Sequence, residues 1–254
     1  MATPVVKLMA LPVEGKKDEK VVRWLKHYSS AQSILIVGDG DFSFSRALAT
    51  AFGSGANLVA TSLDSYGALI CKHHQAESNV RELKKMGATV LHDVDVNNMK
   101  LHTCMKMKRF DRIVFNFPHA GFTGQETQLH VINSHKELVR VFFRNASNLL
   151  CPDGEVHVSH KTGQPYDRWD IEQLASEYSL VMFEKVGFAK GDYPGYNQKK
   201  GDGRKCNRSF PLRNGCTFKF RMARKESEDE SAMYCLVAAM AKMSMARAHD
   251  NVTM

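Results

Sequence analysis

The segment that most constrains the fold is residues 33–45, which read SILIVGDGDFSFS. Four aliphatic residues lead directly into a glycine pair, and Phe44, Leu48 and Phe52 then recur at four-residue steps. This order predicts a buried parallel strand, a tight turn and the start of a helix. Because glycines let the backbone approach a ligand closely and a helix N-terminus offers unpaired N–H groups, the segment is typical of a nucleotide-type ligand loop.

Strand-like and helical patterns alternate along the rest of the chain. The predicted strands are seven apolar or alternating runs, at residues 33–37, 58–64, 89–95, 110–117, 155–160, 180–188 and 216–222. Amphipathic stretches between most of these runs predict helices. The alternation indicates an α/β fold with a mostly parallel seven-stranded sheet, helices on both faces and a ligand site at the carboxyl ends of the strands.

Length and composition favour one domain with two tails. The chain has 254 residues, of which 43% are hydrophobic, enough for one sizeable core. We expect an N-terminal tail with a short amphipathic helix over residues 1–30 and the main domain over residues 31–224. A C-terminal tail, weakly helical or disordered, is expected over residues 225–254.

The net charge indicates what kind of partner to expect, and the cysteine spacing indicates the cellular compartment. The formal net charge is +8, which favours a polyanionic partner. The six cysteines show no CxxC spacing, so we expect neither a zinc site nor a disulfide framework, and a reducing intracellular compartment. The chain has no run of about 18 apolar residues, so we expect no membrane span.

Unusual residues stand at the carboxyl ends of four successive predicted strands. They are Gly38, Asp39 and Gly40 after the first strand, Asp64 after the second, Asp95 after the third, and Asn116, Pro118 and His119 after the fourth. A single acid after a strand is often only a helix cap. Because parallel strands bring their carboxyl ends to one edge of a sheet, four such features predict one shared cleft.

The acids of the glycine loop favour a cationic ligand. Ser43 stands where a dinucleotide-binding loop would have its third glycine, and Asp39 and Asp41 lie within the loop. Two carboxylates would repel a pyrophosphate, whereas they suit the sulfonium and α-ammonium groups of S-adenosylmethionine. The alternative is that both acids only form the turn.

The acids after the next two strands fit the rest of such a cofactor. Asp64 is placed to bind ribose hydroxyls, a role it would also have with a dinucleotide. Asp95, or alternatively Asp93, could accept a hydrogen bond from an adenine amino group.

We predict that the substrate reacts beside the residues that follow the fourth strand. A rigid proline there can help to hold a flat base, Asn116 can bond an imide or amide edge, and His119 can accept a proton or orient the base. The alternative is a turn with a surface histidine. Residues 163–166, GQPY, border the substrate side or form an ordinary turn.

A segment rich in basic and aromatic residues, here called the basic, aromatic segment, spans residues 189–215 between the last two predicted strands. We predict that it contacts RNA through phosphate binding and base stacking, or else is a solvated flexible loop. The predicted RNA-binding residues are Tyr193, Tyr196, Lys199, Lys200, Arg204 and Lys205.

Four motifs, in order, resemble the 25S rRNA (uridine-N3)-methyltransferase-like domain family. They are ILIVGDGDFSFS from residue 34, NFPH from residue 116, GQPY from residue 163 and YPGY from residue 193. The similarity covers residues 31–222, and this variant resembles the plant members. It implies a Rossmann-like class I methyltransferase domain that uses S-adenosylmethionine and needs no metal.

The resemblance also implies a reaction and a partner. The reaction is methyl transfer to N3 of a uridine in ribosomal RNA or the pre-ribosome, in the nucleus, nucleolus or cytoplasm. The implied cofactor residues are Gly38, Asp39, Gly40, Asp64 and Asp95, and the implied base-side residues are Asn116, Pro118 and His119. Alternatives are a methyltransferase acting on a small molecule or a protein, a non-catalytic RNA-binding module and, more distantly, a dehydrogenase.

Overall fold

The computed structural model describes residues 21–121 and 124–224, and these build one seven-stranded sheet with helices on both faces. The strands are β1 (Trp24–Leu25), β2 (Tyr28–Ser29), β3 (Ile34–Val37), β4 (Leu58–Thr61), β5 (Thr89–Leu91), β6 (Phe110–Asn116), β7 (Leu150–Lys161), β8 (Leu180–Gly187) and β9 (Gly215–Met222). The helices are α1 (Ser43–Phe52), α2 (Tyr66–Lys72), α3 (Ala76–Lys85), α4 (Leu129–Ser147) and α5 (Ile171–Ser176). Short 3₁₀ turns lie at Met99–Leu101, Tyr166–Trp169 and Lys190–Asp192.

The strand order of the large sheet is β5-β4-β3-β6-β7-β9-β8. Strands β5, β4, β3, β6 and β7 pair in parallel, and β9 is antiparallel to both β7 and β8. The predicted α/β fold with a mostly parallel seven-stranded sheet is therefore confirmed.

Alternate residues of β3 show how the core divides into two layers. Ile34 and Ile36 pack in a cluster with α1 and α3, whereas Leu35 and Val37 pack in a cluster with α4 and α5. Side chains of a strand alternate between the two faces of a sheet, so one four-residue apolar run supplies both layers. This accounts for the continuous hydrophobic run in the sequence and for helices on both faces.

The short helix predicted before residue 31 is wrong. The chain there forms the hairpin β1–β2, with Lys26 in its turn at a φ of 54°. Tyr28 of β2 is 1% exposed, and its hydroxyl lies 3.1 Å from Nδ1 of His157 on β7. This tertiary anchor overrides a local helical pattern. The packed domain therefore begins before residue 31; the predicted tails at 1–20 and 225–254 lie outside the described residues.

The turn after β3 needs a glycine. Gly38 has a φ of 60°, and a Cβ built there would lie 2.9 Å from Cε2 of Phe115 on β6. Both the left-handed backbone and the neighbouring ring therefore exclude a side chain. This close approach lets the loops after two adjacent strands share one wall.

We expect Gly38→Ala to lower the free energy of unfolding by about 1–2 kcal/mol, because the new Cβ is strained and crowded. Urea unfolding measures the change. Gly191→Ala is the matched control, because a Cβ at Gly191 meets open space and should change stability far less. Equal unfolding midpoints for the two variants would contradict this account of the turn.

Candidate active site

A cavity of about 550 Å³, here called the main cleft, lies at the carboxyl ends of β3, β4, β5 and β6. The structure thus brings groups from all four strand ends together. The predicted site residues on its lining are Gly38, Asp39, Gly40, Asp41, Asp64, Asp95, Asn116, His119, Tyr196, Lys199 and Lys200.

Asp39 is turned into the protein. Its side chain accepts hydrogen bonds from the backbone N–H of Ser45 at 2.8 Å and from the Ser45 hydroxyl at 2.5 Å. Burial raises the pKa of Asp39 to about 6, although both bonds from Ser45 oppose the change. The carboxyl group therefore ties the glycine loop to the first turn of α1. This geometry supports a turn-shaping role for Asp39.

Asp41 is also buried, and a cation lies near it. Its Oδ1 accepts from the N–H of Ser43 at 3.1 Å, and its Oδ2 lies 3.9 Å from Nζ of Lys199. The side chain of Asn79 donates to the Asp41 backbone carbonyl at 2.7 Å. Lys199 thus offsets part of the negative charge that the sequence placed in this loop.

The next two acids lie on the rim of the main cleft, partly exposed. Asp64 Oδ1 accepts from Nζ of Lys72 at 2.6 Å, and Asp95 Oδ1 accepts from the backbone and side-chain amides of Asn97 at 2.9 and 2.7 Å. Each contact uses one oxygen, so the second oxygen can accept from a ligand hydroxyl or amino group. Asp93, the alternative to Asp95, is exposed.

Asn116 presents an unused donor at the end of β6. Its Oδ1 accepts from the hydroxyl of Ser159 at 2.7 Å, and that hydroxyl lies 3.2 Å from the hydroxyl of Thr217. Within residues 21–121 and 124–224, the buried Nδ2 of Asn116 finds no acceptor. An unpaired buried donor costs about 1–3 kcal/mol, so a ligand oxygen here would be stabilising.

The residues after Asn116 separate the main cleft from a second cavity. Phe117 has a φ of 51°, Pro118 is buried, and the ring of His119 lies 4.4 Å from that of His135. Burial lowers the pKa of His119, while Glu126 acts in the opposite direction. The imidazole is therefore neutral at neutral pH, the form that can accept a proton.

The second cavity, here called the side cavity, has a volume of about 240 Å³. The two cavities share wall residues: Phe117, His119, Lys199, Lys200 and Phe210. Pro118 and Tyr166, singled out by the sequence, lie on the wall of the side cavity. Sequence reasoning missed Glu126, His160 and Lys161 on this wall, because each stands in an unremarkable local pattern.

The basic, aromatic segment divides into buried and exposed parts. Tyr193 and Tyr196 are 2% and 8% exposed and pack against Phe44 and Phe188. The prediction that these tyrosines stack on RNA bases is therefore wrong, because their rings fill the core beside α1. Arg204 and Lys205 are exposed and remain predicted phosphate contacts.

Two features are absent from residues 21–121 and 124–224, the part of the chain that the structure describes. There, no cluster of three or more His, Cys, Asp or Glu side chains is arranged to hold a metal ion. No helix in those ranges has both the length and the apolar character that crossing a membrane requires.

Comparison with known proteins gives one family and several relatives. A family described as BMT5-like, rRNA (uridine-N3-)-methyltransferase, matches residues 35–200. The chain is 50% identical to heavy metal-associated isoprenylated plant protein 41 of Arabidopsis thaliana over 87% of its own length, but it spans only 42% of that relative. It is 26% identical to the 25S rRNA (uridine(2634)-N(3))-methyltransferase of Saccharomyces cerevisiae, over 68% of this chain and 67% of the yeast protein.

A solved structure shares the fold. The crystal structure of NSun6 from Pyrococcus horikoshii with SFG aligns with a TM-score of 0.51 at 15% identity, covering 76% of this chain and 48% of that one. At this identity the similarity concerns the fold alone.

The raised pKa of Asp39 predicts that the free energy of unfolding depends on pH. The pKa of Asp39 in the folded state, about 6, exceeds the ordinary value of 3.8. The unfolded chain therefore releases this proton at lower pH than the folded protein does, and the free energy of unfolding falls as pH rises from 3.8 through about 6. We expect Asp39→Asn, whose side-chain oxygen can still accept from Ser45, to gain about 2–3 kcal/mol relative to the native protein between pH 4 and pH 7.5. Urea unfolding at both pH values measures the difference. Asp153→Asn, at an exposed position of β7, is the control; a pH-independent difference for Asp39→Asn would contradict the prediction.

Proposed function

The chain belongs to the BMT5-like family of rRNA (uridine-N3-)-methyltransferases, and we propose that it methylates N3 of a uridine in large-subunit ribosomal RNA with S-adenosylmethionine. The observation that carries this proposal is the junction of the two cavities at residues 116–119. A methyl donor in one cavity and a base in the other would meet beside Asn116 and His119. We expect the protein to act on ribosomal RNA or the pre-ribosome, in the nucleus, nucleolus or cytoplasm.

The main cleft fits the proposed cofactor. The glycine loop lies beside α1 without a side chain at Gly38 or Gly40, Asp64 can accept from ribose hydroxyls, and Asp95 can accept from an adenine amino group. The buried Nδ2 of Asn116, which has no acceptor among the described residues, can donate to a ligand oxygen at the end of the cleft where the base is proposed to react. When bound, S-adenosylmethionine supplies an electrophilic methyl group, whose transfer forms an N–CH₃ bond, breaks a C–S bond and leaves a neutral thioether.

The chain's own residues would position the base and exclude water. N3 of uridine lies on its pairing edge, so the base must be unpaired or extruded to react. Asn116 can donate to a uracil oxygen through Nδ2, with its orientation held by Ser159. Neutral His119 can accept or orient the N3 proton. Holding the two reactants together supplies much of the rate.

Removing the Asp64 carboxylate tests the cofactor assignment. We expect Asp64→Ala to weaken binding of S-adenosylmethionine about 10- to 100-fold, because hydrogen bonds to a charged acceptor are lost. Isothermal calorimetry measures the affinity. Lys72→Ala is the matched control, because it breaks the same ion pair and keeps the carboxylate. Unchanged affinity in Asp64→Ala would remove Asp64 from the site.

Mapping modified uridines tests the reaction. We expect large-subunit rRNA from cells lacking the protein to lose one 3-methyluridine, and the native protein to restore it. Asn116→Ala should still bind S-adenosylmethionine but fail to restore the modification, because the base loses its hydrogen-bond donor. Mass spectrometry of rRNA nucleosides and fragments reads both results.

Other outcomes of the same experiments would favour one of the alternative functions. Cofactor affinity with unchanged 3-methyluridine would reject the rRNA substrate and favour a methyltransferase for a small molecule or protein. A native protein without affinity for S-adenosylmethionine would favour a non-catalytic RNA-binding module.

A further inference from the structure

The side cavity has flat apolar walls. Tyr166 and Trp169 come from the segment after β7, Phe210 comes from the loop before β9, and Pro118 follows β6. Their rings bound a space less than half the volume of the main cleft. Aromatic and proline walls around a small space suit one planar ring, which stacks on such surfaces.

One ammonium group is fixed inside this cavity. Lys161, the last residue of β7, donates from Nζ to the hydroxyl of Tyr166 at 3.0 Å. The same Nζ lies 5.2 Å from the ring centroid of Phe210. The Tyr166 hydroxyl in turn donates to Glu126 at 2.5 Å, and burial raises the pKa of Tyr166 to about 12, so its proton stays in this bond. Tyr166 and Glu126 are thus positioning residues for Lys161.

The charges around Lys161 favour an anion. Burial lowers the pKa of Lys161, Arg213 and Lys200 lower it further, and Glu126 alone acts to raise it. The titratable or charged groups facing the cavity with Lys161 are His119, Glu126, His160, Tyr166, Lys200 and Arg213. Lys199 also reaches this wall, but it donates to the carbonyl of Asn207 and lies beside Asp41. A bound anion would relieve the repulsion among the cations.

We propose that the side cavity receives one extruded pyrimidine base of the RNA and that Lys161 stabilises the N3-deprotonated form of that base. This inference rests on the proposed uridine methylation. In the step concerned the N3–H bond breaks, the proton passes to the neutral imidazole of His119 and from there to water, and the electron pair stays on the ring, spread over N3 and the two carbonyl oxygens. The Lys161 ammonium interacts with an oxygen of this anion and raises the fraction of base that can react at neutral pH.

A phosphate of the RNA backbone is the other anion that an ammonium group could bind. The ring walls argue for the base, because a phosphate gains nothing from stacking surfaces. The junction with the main cleft at Phe117 and His119 also places a base, rather than a phosphate, next to the proposed methyl donor.

The test compares two RNAs of different N3 acidity. Large-subunit rRNA is transcribed with uridine or with 5-fluorouridine, whose N3 proton is more acidic, and single-turnover rates are measured from pH 6 to pH 9. We expect Lys161→Gln to slow methylation of the uridine RNA about 10²-fold at neutral pH. The loss should shrink to less than tenfold with 5-fluorouridine RNA or at pH 9, because the anion then forms without help.

Three further variants sharpen the result. Lys161→Arg should retain most of the rate, since it keeps the charge. Tyr166→Phe should lose less than Lys161→Gln and show the same rescue, since it only loosens Lys161. Lys185→Gln is the matched control, because Lys185 also lies over an aromatic ring, 4.7 Å from the centroid of Phe218, on exposed β8; its rates should match those of the native protein.

Each contrary outcome has its own meaning. Equal losses with both RNAs and at every pH, accompanied by weaker RNA binding, would assign Lys161 to a phosphate and overturn the inference. Native rates in Lys161→Gln would also overturn it while leaving the proposed function intact. A native protein that binds S-adenosylmethionine yet forms no methylated uridine in either RNA would overturn the proposed function, and this inference with it.

Discussion

The hydrogen bonds from Ser45 to the inward-facing Asp39 carboxyl group are the contacts on which the candidate site depends. They tie the turn after β3 to the start of α1 within the core. With that turn held, Gly38 can pack against Phe115 of the neighbouring strand, and the loops after β3 and β6 share one wall. The raised pKa of Asp39 shows that burying this acid has a cost. The packing of α1 against the sheet offsets that cost.

The site consists of two cavities with opposite charge character. Five aspartates and three lysines line the main cleft, where a cationic methyl donor is proposed. Four Lys or Arg side chains and one glutamate line the side cavity, where an anionic base is proposed. The turn at residues 116–119 lies between the two cavities. Attraction within each cavity would hold the two reactants in place. Lys199 lines both cavities, and its ammonium group lies 3.9 Å from Asp41 Oδ2. Its charge therefore acts on the acids of the main cleft and on the cations of the side cavity.

The segment between β8 and β9 serves both the fold and the site. Tyr193 and Tyr196 anchor it in the core against Phe44, and this anchoring positions Lys199 and Phe210 on the cavity walls. Its basic and aromatic residues, together with its place between the last two strands, predicted RNA contacts along the whole segment. Burial of the tyrosines shows instead that its first part holds the segment against α1, while its exposed basic residues remain candidates for RNA contact.

The sequence by itself determined the sheet, the glycine loop and the residues of the main cleft. Buried strands followed by glycines and acids are local patterns, and parallel pairing necessarily brings their ends together. The hairpin at Trp24–Ser29 and the inward orientation of Tyr193 were decided only by tertiary structure, because they depend on partners far along the chain. The same is true of the side cavity: Glu126 precedes α4, whereas Lys161 ends β7 and Tyr166 follows it, so only the folded chain brings the three side chains together.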